Sequence, residues 1–191
     1  MFLDSEANGL NPRIHKIIEI AFQIVDLKTG VLKAKYQTLI THPFTDWERS
    51  DASSLKVTGF TWEEVSCGKP ILTVSQEIID CFTKIGIQRK KAVFICQNPS
   101  FDRTYFGQIV DPDTQELLNL PYHWLDLASM HWANTMEKAK NQSGPFPWDT
   151  GLSKDRIAHY YQLPPEQSPH RAMNGVQHLL ECYKAVVGFP L

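Results

Sequence analysis

Apolar and polar positions divide the chain into an opening with strand periodicity and a remainder in which strand-like runs alternate with helical ones. Phe2 and Leu3 run into Asp4-Ser5-Glu6 and then Asn8-Gly9, the pattern of a short strand ending in a turn. From Ile14 to Leu27, Ile18, Ile20, Phe22 and Ile24 share one parity, and Ile17, Ala21 and Val25 share the other with Glu19 and Gln23. Both faces are largely apolar, as in a sheet covered on both sides. Lys28-Thr29-Gly30 is a turn signal and Val31 to Thr41 is again strand-like, which predicts an antiparallel hairpin.

Pro43 to Pro70 is irregular and reads as a surface connection with one or two short helices. Within it, Thr61 and Glu64 have the spacing of a capping box. Val74, Ile78, Phe82 and Ile85 predict an amphipathic helix over about 73–85, ended by Gly86. Ala92 to Cys96 is a continuous apolar run, the signature of a buried strand, and a helix is expected from about Ser100. Tyr122 to Leu127 is a further strand candidate, and Ala128 to Lys140 reads as helix. Residues 144–148 read as loop, and Leu152 to Leu163 as helix with Ile157, Tyr160 and Tyr161 inward. The last helix, roughly 171–187, places Met173, Val176, Leu180, Tyr183 and Val187 on one face. Strands first and then strands alternating with helices predict an α/β fold.

Composition narrows the class. A chain of 191 residues that is 42% hydrophobic and 21% charged suits one soluble domain, 1–191. No apolar run approaches the roughly 18 residues that span a bilayer, and the first residues look like a strand rather than a signal peptide, so a cytoplasmic protein is expected. Cys67, Cys81, Cys96 and Cys182 form no C-x-x-C pair and read as reduced, buried thiols. The formal net charge of -2 argues against broad binding of duplex nucleic acid but leaves room for a site that grips one strand end.

Candidate chemistry sits at the ends of these elements. Positions two apart on a strand point the same way, so Asp4 and Glu6 can converge on one hard cation; a polar turn after a short strand is the alternative. Asp102 follows the Val93 strand, where it is either a helix-cap carboxylate or a ligand. His170 precedes the final helix, as an ordinary first-turn residue or as a base. Three carboxylates and a histidine are a set suited to metal-assisted hydrolysis of a phosphodiester. Asp126 reads as a helix cap, and Glu19 as a carboxylate behind the metals or one satisfied within the sheet.

Phe2 to Leu10, Ile17 to Ala21, Asn98 to Arg103 and Pro169 to Ala172 resemble, in order and spacing, the motifs of the DnaQ-like 3′-5′ exonucleases of the DEDDh type. The resemblance implies a ribonuclease H-like three-layer fold, a mixed central sheet of about five strands flanked by helices. It also implies a metal-dependent 3′-5′ exonuclease acting on the 3′ ends of single-stranded DNA or RNA, with association with a DNA polymerase as a further expectation. Two ions, Mg²⁺ or Mn²⁺, are expected, one of them held weakly. By the same resemblance Asp4 bridges both ions, Glu6 holds the ion carrying the nucleophilic water, Asp102 holds the other, and His170 is the general base. Leu10 lies where a wedge residue would be useful, and Phe60 and Trp62 are either stacking groups or core.

The match fails at one place: five residues after His170, where the family has an Asp, stands Gly175. Asn174 is adjacent, but one helical step rotates a side chain by about 100°. Asn174 could instead cap a helix that begins only at Gly175. The loss leaves three expectations: a working nuclease with one weakly held ion, an enzyme needing Mn²⁺ or high metal, or a silent relative that binds nucleic-acid ends or a polymerase. It also predicts that Gly175→Asp raises activity in Mg²⁺.

Overall fold

The computed structural model of the chain describes residues 1–190; Leu191, the end of the expected 1–191 domain, lies outside the described residues. The three β-rich runs pair in sequence order: β1 (Phe2–Ala7) with β2 (Ile17–Val25), and β2 with β3 (Leu32–Thr41), both antiparallel. Every residue of β2 is buried, as its apolar residues on both parities require.

The connection that follows carries α1 (Phe44–Trp47), α2 (Ala52–Thr58) and α3 (Trp62–Ser66), then the two-residue strand β4 (Lys69–Pro70). Three short helices stand where one or two were expected. α2 is the fullest of them, and Asp51 caps it by accepting from the Ser54 amide. The capping box of Thr61 and Glu64 is present at α3. α4 (Ile71–Ile85) ends on Gly86 in the left-handed region, φ 77°, a conformation in which a Cβ would be strained.

β5 (Phe94–Cys96) lies parallel to β1 and leads into α5 (Pro99–Ile109). α6 (Pro112–Leu117) precedes β6 (Trp124–Asp126), which is parallel to β5. α7 (Leu127–Lys140), α8 (Pro147–Thr150), α9 (Lys154–Tyr160) and α10 (Ala172–Val186) complete the described residues. The sheet order is β4-β3-β2-β1-β5-β6, a mixed sheet of six strands rather than about five. The additional strand is β4, too short to leave a periodic signal.

Parity decides which helices cover which face. Leu3, Ile20, Phe22 and Ile24 face α4 and α5, where Phe82, Phe94 and Phe106 form an aromatic cluster with Phe22. Each such ring pair adds about 0.5–1.5 kcal/mol beyond its buried area. Phe2, Ala21 and Ile95 face α7, α9 and α10.

Several local expectations shift. Pro147 and Trp148 open α8 instead of lying in a loop. On α10 the buried residues include Met173, Val176, Leu179, Cys182, Tyr183 and Val186; Leu180 is only partly covered and Val187 lies past the helix end, 53% exposed. Seated directly against the sheet, the helix buries a broader face than one stripe. The four cysteines are free, but only Cys96 and Cys182 are buried; Cys81 is half-buried and Cys67 exposed on the surface connection. Among the described residues no helix is long and apolar enough to cross a membrane.

Candidate active site

β1 lies between an antiparallel neighbour and a parallel one, so its carboxyl end and that of β5 meet at one sheet edge. The register places Asp4 opposite Ala21 and Glu6 opposite Glu19, with a bulge just after Glu6. Asp4 and Glu6 therefore share the α10 face, as their spacing predicts. The turn reading also holds: Asn8 accepts from the Lys16 amide and donates to Ser50, organising the loop after the strand. The Tyr105 hydroxyl donates to the Gly9 carbonyl at 2.6 Å and ties that loop to α5.

Asp102 lies in the first turns of α5 and is buried. Ser5, on the opposite parity of β1, donates its hydroxyl to Asp102 Oδ1 at 2.7 Å. Alternation along the strand thus supplies the carboxylates Asp4 and Glu6 on one side and a positioning hydroxyl on the other. His170 stands on the rim, its side chain 41% exposed and Nδ1 3.8 Å from Glu166 Oε1. Its amide donates to the Val57 carbonyl at 3.2 Å, anchoring the turn to α2. All four expected site residues line one cleft of about 310 Å³.

The same cleft is lined by Lys154, Asp155 and Glu166, which no motif along the chain marks. Ser153 caps α9, which places Lys154 and Asp155 in its first turn. Asp155 accepts from the Glu166 amide at 3.0 Å, and Lys154 Nζ lies 2.9 Å from Glu166 Oε2 and 3.5 Å from Asp4 Oδ1. Their only sequence signal was an S-x-x-R helix start and a Glu after a Pro-Pro pair, neither of which marks a buried charge.

Glu19 stands opposite Glu6 and is satisfied within the fold. Its carboxylate accepts from the Ala172 amide and from Gln37 Nε2, both at 2.7 Å, and so serves the N-terminus of α10, where Arg171 makes no side-chain cap. Asp126 caps α7. α10 runs continuously through Gly175, whose amide donates to Arg171, so no helix start at Gly175 occurs. Asn174 faces a separate depression beside Pro164 and Gln177 and does not stand in for the missing Asp. Phe60 is buried against Ile18, and Leu10 is 77% exposed beyond the carboxylates.

Crowded negative charge shows in the acidities. Burial, then the charges of Asp4, Glu19 and Glu166, push the Glu6 carboxyl up to about 9. Burial and Asp4 raise Asp102 well above the carboxylate range, against the Ser5 hydrogen bond. Burial also raises Asp4, and Lys154 limits the rise. Glu166 goes the other way: burial alone would raise it, but His178 and Lys154 outweigh that and bring it down to about 2. Burial would lower the Lys154 ammonium, yet Asp4 and Glu166 hold it above its ordinary value.

The donor set suits a hard cation, which takes carboxylate oxygens and fills the rest of its shell with water or phosphate oxygens. Among the described residues no three such side chains close on a single point. The carboxylates line the cleft wall, and Lys154 occupies part of the space between them.

Comparison with known proteins bears on the family and the fold. A family model for RNase T-type exonucleases matches residues 1–183. No curated protein matches the sequence. Among solved structures, a 3′-exonuclease described in 3′-end-specific recognition of a histone mRNA stem-loop has a TM-score of 0.68 at 16% identity, over 100% of this chain and 64% of that one. The nuclease domain of 3′hExo, a DEDDh family member bound to rAMP, has a TM-score of 0.67 at 15% identity, over 100% of this chain and 92% of that one. A zinc-bound complex of Escherichia coli Exonuclease I with single-stranded DNA has a TM-score of 0.69 at 17% identity, over 97% of this chain and 39% of that one. The chain thus spans less than two thirds of the first and the third of these proteins, and at these identities the likeness is one of fold.

Proposed function

Because the chain belongs to the RNase T exonuclease family, we propose that its cleft hydrolyses phosphodiester bonds at the 3′ ends of single-stranded DNA or RNA, in the 3′-to-5′ direction, with Mg²⁺ or Mn²⁺ as cofactor. The observation that carries this reading is the meeting of Asp4, Glu6 and Asp102, with His170 on the rim, in one cleft where β1 and β5 end. A divalent ion held by these carboxylates would supply charge neutralisation at the scissile phosphate and a bound water of lowered pKa. Asp4, Glu6 and Asp102 are the carboxylates that would hold it, and the Ser5 hydroxyl orients Asp102. His170 turns Nδ1 toward Glu166, which leaves Nε2 as the ring nitrogen that would accept a proton as general base.

The relatives described with single-stranded DNA and with rAMP support a strand-end substrate, as does a net charge of -2, which is poor for gripping duplex. Phe101 lines the cleft as a stacking surface for a terminal base. Free thiols fit a reducing, cytoplasmic compartment.

The test is a 5′-labelled single-stranded DNA or RNA oligonucleotide incubated with the protein and Mg²⁺ or Mn²⁺. A ladder shortening from the 3′ end, absent with Asp4→Ala, is expected; intact oligonucleotide with both metals would sink the reading. The Lys154 to Asp4 contact and Gly175 favour a second reading, an exonuclease-fold module that holds strand ends or a polymerase without turnover. That module would retain a labelled 3′ end in a binding assay and release no nucleotide.

A further inference from the structure

Gly175 sets how closely α10 crosses β1. A Cβ on Gly175 would lie 2.1 Å from Asp4 Oδ2 and 2.6 Å from Asp4 Cγ, so the Asp4 carboxylate already fills the space a side chain at 175 would need. The other Asp4 oxygen, Oδ1, is 3.5 Å from Lys154 Nζ. The same ammonium is 3.4 Å from the Gly175 carbonyl and 2.9 Å from Glu166 Oε2. One nitrogen, on a side chain only 11% exposed, is thus surrounded by oxygens of β1, of α10 and of the segment between α9 and α10.

Glu166 is fixed from several sides. Its amide donates to Asp155, and His178 Nδ1 lies 3.9 Å from Oε2, with His178 itself held by a 3.0 Å contact between Nε2 and the Pro164 carbonyl. The Glu166 side chain is 3% exposed, and its second oxygen, Oε1, has no hydrogen-bond donor. The carboxylate therefore has a preset position and keeps the lysine against Asp4.

We propose that the Lys154 ammonium is a built-in cation occupying one of the two cation positions beside Asp4, so that the centre binds a single divalent ion per chain, with Glu166 as the residue that positions the ammonium. The proposal rests on reading the cleft as a metal centre. Its physical basis is repulsion: in a two-ion site the ions lie about 4 Å apart across a shared carboxylate. An ammonium already against that carboxylate opposes a dication placed beside it in a partly buried site. Its place beside Gly175 also accounts for the missing acid there, since a cation supplied by the chain needs no further carboxylate at 175.

The test is a titration of the whole chain with Mn²⁺, reading bound ions per chain by calorimetry and by the electron paramagnetic resonance of free Mn²⁺. One ion is expected for the wild type and two for Lys154→Met, the second within about tenfold of the first in affinity. Lys154→Gln keeps an amide donor for Glu166 and serves if the methionine variant does not fold. Two ions in the wild type would overturn the inference and leave the metal centre standing. No ion in the wild type would overturn both. One ion in the wild type and still one in a folded Lys154 variant would remove Lys154 from the role.

Discussion

On the α5 flank of β1 a carboxylate is held by a neutral hydroxyl, Ser5 to Asp102 at 2.7 Å, and the pairing leaves the acid free for a cation. On the α10 flank Asp4 meets a glycine on one side and an ammonium on the other, and the matching carboxylate, Glu166, arrives from the segment before α10 already paired. The two flanks share one strand and differ in what neutralises them. In the proposed reading the α5 side takes an external cation, whereas the α10 side carries its own. A cluster of acids is thus no measure of how many metal ions a site takes until the buried cations are counted with it.

The comparison can be broken most directly at Asp102. Asp102→Asn keeps the shape but removes the charge, and strand shortening should fall by about 10²–10³-fold, the size expected when one preorganised charge-stabilising group is lost; a loss below tenfold would show that the α5 flank is not the metal-binding side. Ser5→Ala leaves the acid and removes only its positioning partner, so the apparent Mn²⁺ affinity should drop about 10–100-fold, read in the dependence of rate on metal concentration.

Gly175 sharpens the other flank and reverses the expectation drawn from the sequence. With Asp4 in the space a Cβ would need, Gly175→Asp should lower activity rather than raise it, and even Gly175→Ala should weaken metal binding severalfold. Ala is otherwise better than Gly inside a helix by about 1 kcal/mol. A Gly175→Ala protein with a higher Tm and unchanged Mn²⁺ affinity would show that Asp4 is not crowded there.

A further test concerns pH. Glu6 has an ordinary value of 4.5 and is pushed to about 9 when folded and metal-free. A carboxyl raised on folding stabilises most below its unfolded value and loses that contribution as pH rises, so Tm in chelator should fall between about pH 4.5 and 9. Adding Mn²⁺ should recover more stability at the upper end and at pH 7 release about one proton, visible in calorimetry with buffers of different ionisation heat. A flat Tm across this window would place Glu6 outside the charge cluster.

Much of this was legible along the chain. The apolar parity of Ile17 to Val25 announces a doubly covered strand, and the break from Phe2-Leu3 to Asp4 and Glu6 marks the end of β1 that lines the cleft. Asn98 to Asp102 follows the second buried strand in the same way. Short elements were less visible: β4 has two residues, and α8 begins on a proline inside an apparent loop.

The sequence by itself determined the α/β order, the place of Asp102 after a buried strand and the absence of an acid at 175, because each depends on local period or on residues adjacent to a strand end. Only the tertiary structure decided what faces Asp4. Lys154 is distant from Asp4 along the chain, and Glu166 follows a Pro-Pro pair with no periodicity. What makes them matter is that α9 and the segment before α10 fold both charges against one carboxylate, where burial leaves pairing as the way to keep them ionised.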